Sequence, residues 1–529
     1  ALELIGAESN RPGIGAHVVL RYEDDQSNRT QQMAEVAGGG SGAGSQGSLP
    51  LEFGIGQVSS IDSVLVYWPS GDTSIFEDVA TNQKITIVEH GSFNDHDLVW
   101  DHNLHGHYYI SGNVTIQGIE LEIAEGTHVY FHKTWRTDYR AKLVFSAGAS
   151  LTISGTEASP VILTSQYSSP KAGDWEGMYT MLSTNSISLN FAQISYANYG
   201  FYGWEYLSYA PGSIDITDCR FTNLKSAGVD LAYPSINTPT QITNCYFENC
   251  GSYGIRIRKD ILSNDLDVII EADTVLNCVY GICYFGNSNL GYTKIPSISN
   301  CVIERTVPTT FDGYGIFISS FSAANPFVSP RVESDSIVGF YGGIKLSSVN
   351  SNCKLVANKV KNNSDYGIYL KNASPDIFQS TPEGIPNVFN SSYVGMYCDK
   401  SSSPYVRSTK IKENMYRGVL VDAVTPPDFG TASSHGENSI HTEIGLMTFA
   451  DMHYTVALPQ LNAVGNWWGE YPPNRSEIIG NIKYSDALES DPLPGYEKRE
   501  ACFVDLPDGL GLGQNFPNPF NPITSISFY

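Results

Sequence analysis

The chain has 529 residues, 16% charged and 12% aromatic, with 49 glycines, 32 tyrosines and a formal net charge of −24. So acidic a field repels phosphate backbones and anionic membranes, which argues against nucleic-acid binding and fits cation binding or solubility outside a cell. No apolar run reaches the roughly 18 residues a membrane helix needs, and aromatics combined with abundant Gly, Asn, Ser and Thr predict strands and turns with very little helix.

The sequence starts without a methionine or signal peptide, directly in strand-like "ALELIG", and is expected to be a mature or trimmed fragment. Residues 1–90 read as a first β unit: "GAHVVLRYED" and "DSVLVYWPSGDTSIFEDV" alternate, "QKITIVEH" closes the unit, and "EVAGGGSGAGSQGS" is a flexible loop. The glycines of that loop lack the Lys-Ser/Thr and the helix of a phosphate cradle. "NRPGIGAHVVL" (10–20), "LEFGIG" (51–56), "VLVYWPSGD" (64–72) and "NQKITIVE" (82–89) together resemble the ASPIC/UnbV family. The resemblance implies an extracellular all-β module without established chemistry, of a kind that often follows integrin-like propeller repeats.

Residues 91–470 carry an internal repeat. Glycine followed by an apolar residue recurs at Gly200, Gly228, Gly254, Gly281, Gly315, Gly343, Gly367, Gly395 and Gly418, at intervals of 23 to 34 residues. A second column holds Cys219, Cys245, Asp273, Cys301 and Asp335, followed two residues later by Phe221, Phe247, Val275, Ile303 and Ile337. Asn223, Asn249 and Asn277 stand in register after that, while Arg305 and Gly339 break the column. Period-2 spacing means strand, and a unit this small buries its apolar face only by stacking on its neighbours. The expected architecture is all-β: a small N-terminal domain followed by a right-handed parallel β-helix of about 13 coils, on the order of 60 Å long. "GNVTIQGIELEIAEGTHVYF" (112–131), "AKLVFSAGASLTISGTEASPVILTS" (141–165) and "AGDWEGMYT" (172–180) resemble the opening coils of secreted bacterial β-helix proteins, and "GNWWG" (465–469) resembles a motif that closes them.

Residues 471–511 read as a linker or packing tail. The final "LGQNFPNPFNPITSISFY" (512–529) resembles the first strand of a type IX secretion C-terminal sorting domain, or of the related FlgD-like module. That resemblance implies an extracellular or outer-surface location in a bacterium, with the remainder of the sorting domain missing.

Several clusters bear on function. The nine cysteines include no CxxC pair, and their columns suit a ladder of small buried thiols better than disulfides or a metal. His105 and His107, with His102 and Asp101 beside them, have metal-ligand spacing if the segment is a strand. The other reading is a solvated stretch where a loop enters the first coil. Tyr199, Tyr202, Trp204 and Tyr206 crowd residues 198–209, and Trp135 sits in a second such loop. Exposed rings of this kind stack on sugars or anchor a protein partner, whereas a loop folded back would only cover the solenoid's flank.

The expected function is a secreted or cell-surface, non-catalytic protein that adheres to an extracellular glycan or surface protein. The alternative is a polysaccharide lyase or hydrolase, which would need grouped carboxylates, a basic residue and, for a lyase, calcium. Asp230, Asp265, Asp267, Asp312, Asp365 and Asp376 do not recur in a way that marks such a cleft. A third reading is a self-associating stalk or filament subunit.

Overall fold

The computed structural model describes residues 1–39, 48–132, 140–181, 184–204, 212–232, 240–259, 268–286, 296–306, 312–320, 330–349, 352–381, 384–442 and 450–493. Strand is the dominant regular structure of the described residues, which contain one short helix, His102–His105. Trp135, Tyr206, Asp265, Asp267 and the 512–529 segment lie outside the described residues.

Three long parallel sheets form the solenoid. In each coil the chain passes through sheet I, sheet II and sheet III in turn, as in Tyr199–Trp204, Ser213–Thr217 and Arg220–Leu224. Sheets I and III each have 15 strands and sheet II has 12 among the described residues. At about 4.8 Å per strand, 15 strands make a body roughly 65 Å long. Alternation decides what lies inside: Ile214, Ile216, Phe221, Val229 and Leu231 point inward in one coil and belong to a single continuous core. Like residues stack on like, as in Phe221 on Phe247, with ring centroids 4.9 Å apart.

The glycine column marks where the chain enters sheet I. A Cβ on Gly228 would lie 2.3 Å from the ring of Phe247 and 2.7 Å from the Gly254 carbonyl oxygen. The crossing is therefore too tight for any side chain.

The turn from sheet II to sheet III is equally constrained. Asp218, Asn244, Asn300 and Ser334 adopt positive φ there, a conformation short polar side chains tolerate. The residue after each points inward and builds a ladder along the axis: Cys219, Cys245, Asp273, Cys301, Asp335, Asn358, Asn387, Thr409, Asn438 and Asn466, all buried. Each asparagine serves the coil before it twice. Asn387 Oδ1 accepts from the Asn358 N–H at 3.0 Å, and Asn387 Nδ2 donates to the Leu355 carbonyl at 2.9 Å. Asp335 and Asp273 keep the first half, accepting from the Cys301 and Cys245 N–H groups at 2.8 and 2.7 Å, but leave Oδ2 without a partner. Burial raises both carboxyls, Asp335 to about 7 and Asp273 well above the usual carboxylate range. The eight described cysteines are buried. At the other bend, Asn223, Asn249 and Asn277 also take positive φ, and Asn249 Nδ2 donates to Asn223 Oδ1 at 3.2 Å.

The N-terminal domain caps one end of the solenoid. It comprises β1 (Leu2–Ile5), β2 (His17–Glu23), β3 (Arg29–Glu35), β4 (Ser60–Tyr67), β5 (Thr73–Ala80) and β6 (Ile85–Val88). Strands β3-β2-β4-β5 form an antiparallel sheet, whereas β1 and β6 are the first two strands of sheet III. Ile85, Ile87 and Tyr109 on the outer face of sheet III share a core with Val18, Leu20, Val64 and Phe76. His132 is drawn into this contact, its ring 5.9 Å from that of Phe76. At the far end Trp468 is buried and Ile478–Ile479 pair with Ala450–Tyr454 of sheet I.

Candidate functional site

Sheet I turns a row of chemically distinctive side chains outward. Register places Tyr179, Tyr202, Asp230, Arg256, Cys283, Phe317, Lys345, Tyr369 and Tyr397 in one column, each on the strand next to the last. Beside it runs a column three residues earlier in each strand, holding Tyr199, Tyr253, Tyr280, Tyr314 and Tyr366. In each case the tyrosine directly precedes a glycine of the crossing, so the feature that tucks the backbone in also fixes a ring at its edge.

The rings interlock along and across the columns. Centroids lie 5.1 Å apart for Tyr179 and Tyr202, 4.6 Å for Tyr199 and Tyr202, and 5.2 Å for Tyr253 and Tyr280. Further along, Tyr366–Tyr369 and Tyr369–Tyr397 are each 5.2 Å apart. Most of these rings are half-buried, so neighbours hold them and one side still reaches solvent.

Two cationic positions interrupt the aromatic row. Asp230 has no exposed side-chain surface and is paired with both Arg256 and Arg258. Arg256 Nε donates to Asp230 Oδ1 at 3.0 Å, its Nη2 bonds Oδ2, and its guanidinium lies 4.3 Å from the centre of the Tyr253 ring. Burial opposes the charge on Arg256, but the hydrogen bonds and charge of Asp230 prevail and raise its pKa. Arg256 is thus a fixed cation.

Lys345 is different. Its Nζ lies 4.6 Å from the centre of the Tyr314 ring, 4.8 Å from that of Phe317 and 5.7 Å from that of Tyr369. Burial among these rings pushes the ammonium below its ordinary pKa, and Asp312 only partly offsets this. Carboxylates fringe the row: Tyr369 Oη donates to Asp399 at 3.2 Å and Tyr397 Oη to Asp422 at 2.8 Å. Both tyrosines are raised by burial first, then by these carboxylates, Tyr369 to about 12.

Of the residues singled out in the sequence, Tyr199 and Tyr202 lie on this face, and Trp204 ends the same strand. Asp230, Asp312 and Asp365 come to the same side, whereas Asp376 pairs with Lys354 on sheet II. The histidine cluster divides. Asp101 caps the short helix by accepting from the Asn103 N–H. Gly106, at a φ of 71°, then turns the chain, so His105 faces Glu3 at 3.1 Å. His107 stacks on His128, with centroids 4.5 Å apart, and on His102 at 6.4 Å. Among the described residues no group of three or more His, Cys, Asp or Glu is placed to hold a metal ion.

Comparison with known proteins assigns both parts of the architecture. Residues 6–93 match the family model for ASPIC and UnbV, residues 91–204 that for the pectate-lyase like beta helix domain, and residues 206–341 and 291–441 that for the right handed beta helix region. An ASPIC/UnbV domain is followed by right-handed β-helix domains. Similar solved structures include the periplasmic alginate epimerase AlgG, 13% identical with a TM-score of 0.29, covering 72% of this chain and 74% of that one. A mutant of AlgG is also 13% identical with a TM-score of 0.31, covering 77% of this chain and 83% of that one. No curated protein matches the chain. Within these domains the aromatic row of sheet I lies in the β-helix, and the ASPIC/UnbV domain contributes none of its residues.

Proposed function

We propose that this protein binds an extended polysaccharide along the outer face of sheet I and acts outside the cytoplasm. The observation that carries this reading is the register of rings from Tyr179 to Tyr397 on adjacent parallel strands. Sugars present apolar faces at regular intervals along a chain, and rings held half-exposed in a row offer matching platforms at little entropic cost. Arg256 and Lys345 sit in the same column three strands apart, roughly 14 Å. They favour a chain bearing acidic groups, in a protein whose overall charge of −24 would otherwise repel it. The resemblance of residues 512–529 to a sorting domain supports an extracellular destination.

A second reading, catalysis on the same face, is favoured by Lys345. A lysine amine buried among rings, 4.6 Å from the centre of the Tyr314 ring and with its pKa lowered by burial, has the character of a general base when neutral. Such a base would remove the proton next to a uronate carboxylate.

A panel of neutral and acidic polysaccharides, tested for binding and for chain cleavage with and without calcium, separates the two readings. Tyr369→Ala with Tyr397→Ala should weaken binding in either case. Lys345→Met should abolish turnover only if the face is catalytic. Undiminished binding by the double tyrosine variant would overturn the assignment of the face.

A further inference from the structure

The antiparallel sheet of the ASPIC/UnbV domain has two edges, β3 and β5. Edge β5 is obstructed: Asp78 takes a φ of 54° within it, and the Gln166 side chain from the solenoid hydrogen-bonds the Glu77 carbonyl. Edge β3 carries no such protection. It contains no proline, no lysine and no positive-φ residue, and it runs unbroken for seven residues, Arg-Thr-Gln-Gln-Met-Ala-Glu.

The hairpin hydrogen bonds say which groups are open. The Asp24 N–H donates to the Asn28 carbonyl at 2.9 Å and the Val36 N–H to the Ala16 carbonyl at 3.0 Å, one beyond each end of the β2–β3 pair. Alternation between them directs the backbone groups of Thr30, Gln32 and Ala34 to β2. Those of Arg29, Gln31, Met33 and Glu35 face the open edge. Among the described residues no backbone hydrogen bond reaches them there. The side chains of these four residues are also exposed, Met33 by 67%.

This strand is complementary to itself. Antiparallel pairing of two copies about a two-fold axis at Gln32 sets Arg29 opposite Glu35 of the second copy at both ends. It also sets Gln31 opposite Met33 on either side of the axis. All the outward backbone groups then meet partners, because the pairs that fall in register are those whose N–H and C=O face outward. The solvent side of the sheet gains continuity as well, since Met33 already adjoins Val19, and Val19 adjoins Leu65. We propose that β3 pairs with β3 of a second copy of this chain, making one eight-stranded sheet across a symmetric dimer.

The test is sedimentation velocity on the full chain over a range of concentrations, with three variants. The Met33 N–H is not used by β2, so Met33→Pro blocks the edge and leaves the hairpin intact. Its melting profile by circular dichroism should match the wild type while its dimer is lost. Arg29→Glu sets like charges opposite each other twice and should weaken the dimer by about tenfold or more. The exchange Arg29→Glu with Glu35→Arg restores both pairs and should bring the dimer back. A wild-type chain that stays monomeric at tens of micromolar, or a dimer indifferent to Met33→Pro, overturns the proposal.

Discussion

Replacing Asp335 with asparagine should stabilise this protein, and the gain should grow with pH. In the unfolded chain the carboxyl titrates near 3.8, whereas burial in the ladder holds it to about 7 in the folded state. Below pH 4 the group is protonated in both states and its contribution is fully present. Between about 4 and 7 the unfolded state loses the proton while the folded state retains it, so stability falls as pH rises. A difference of about three pH units corresponds to about 4 kcal/mol lost above pH 7.

Asparagine removes this dependence and supplies a donor at every pH, where the carboxyl supplies one only while protonated. The Asn358 and Asn387 amides donate to Val332 and Leu355, in each case the carbonyl three residues before the preceding ladder member. By the same offset an amide at position 335 meets the Ile298 carbonyl, where Asp335 Oδ2 now has no partner. The titratable groups acting on Asp335 are Cys301 and Asp273 in the coils before it and Glu333 on its own, and none provides a compensating positive charge. Denaturant midpoints should be compared at intervals from pH 4 to 8.5, with hydrogen exchange in the flanking coils, because a solenoid can open in segments. The advantage of the variant should be small at pH 4 and approach about 4 kcal/mol above pH 7. An advantage that is the same at every pH, or a penalty, would refute the protonated-acid account of the ladder.

His132 should make the cap acid-labile. Burial pushes its imidazole to about 4, so stability is lost as pH falls from 6.5 through 4, by up to about 3 kcal/mol. His132→Leu should flatten that limb of the melting-temperature profile. Breaking the Asp230 cluster should cost on the order of 3 kcal/mol for Arg256→Met, because a buried carboxylate loses a partner while Arg258 keeps part of the pair. Adding Asp230→Asn to that variant should recover most of the loss in urea denaturation.

Much of the fold was legible because a solenoid repeats its constraints. The glycine crossings, the Cys/Asp column and the positive-φ asparagines each recur at the same place in successive coils, and each proved to have a local steric or hydrogen-bonding cause. The face of sheet I was less legible, although its signal was in the sequence. Tyr199, Tyr253, Tyr280, Tyr314 and Tyr366 all precede crossing glycines, one residue ahead of the repeat's most regular column. Lys345 could not be found this way, since its cage comes from Tyr314, Phe317 and Tyr369 on different coils. The arrangement of the histidine segment has a local cause: His-x-His places both rings on one face only in a strand, and here a helical turn and Gly106 intervene. The extent of the cap was hidden as well, because nothing in "ALELIG" distinguishes a strand of the small domain from the first strand of sheet III.

The most direct test of the account is equilibrium binding of an acidic polysaccharide to the wild-type protein, to Tyr369→Ala/Tyr397→Ala, and to a control altered on sheet II, such as Thr152→Ala/Ser188→Ala. Loss of about 1 to 3 kcal/mol of binding on removing the two rings, with the sheet II control unaffected, is the predicted result. Equal binding by all three proteins would contradict it.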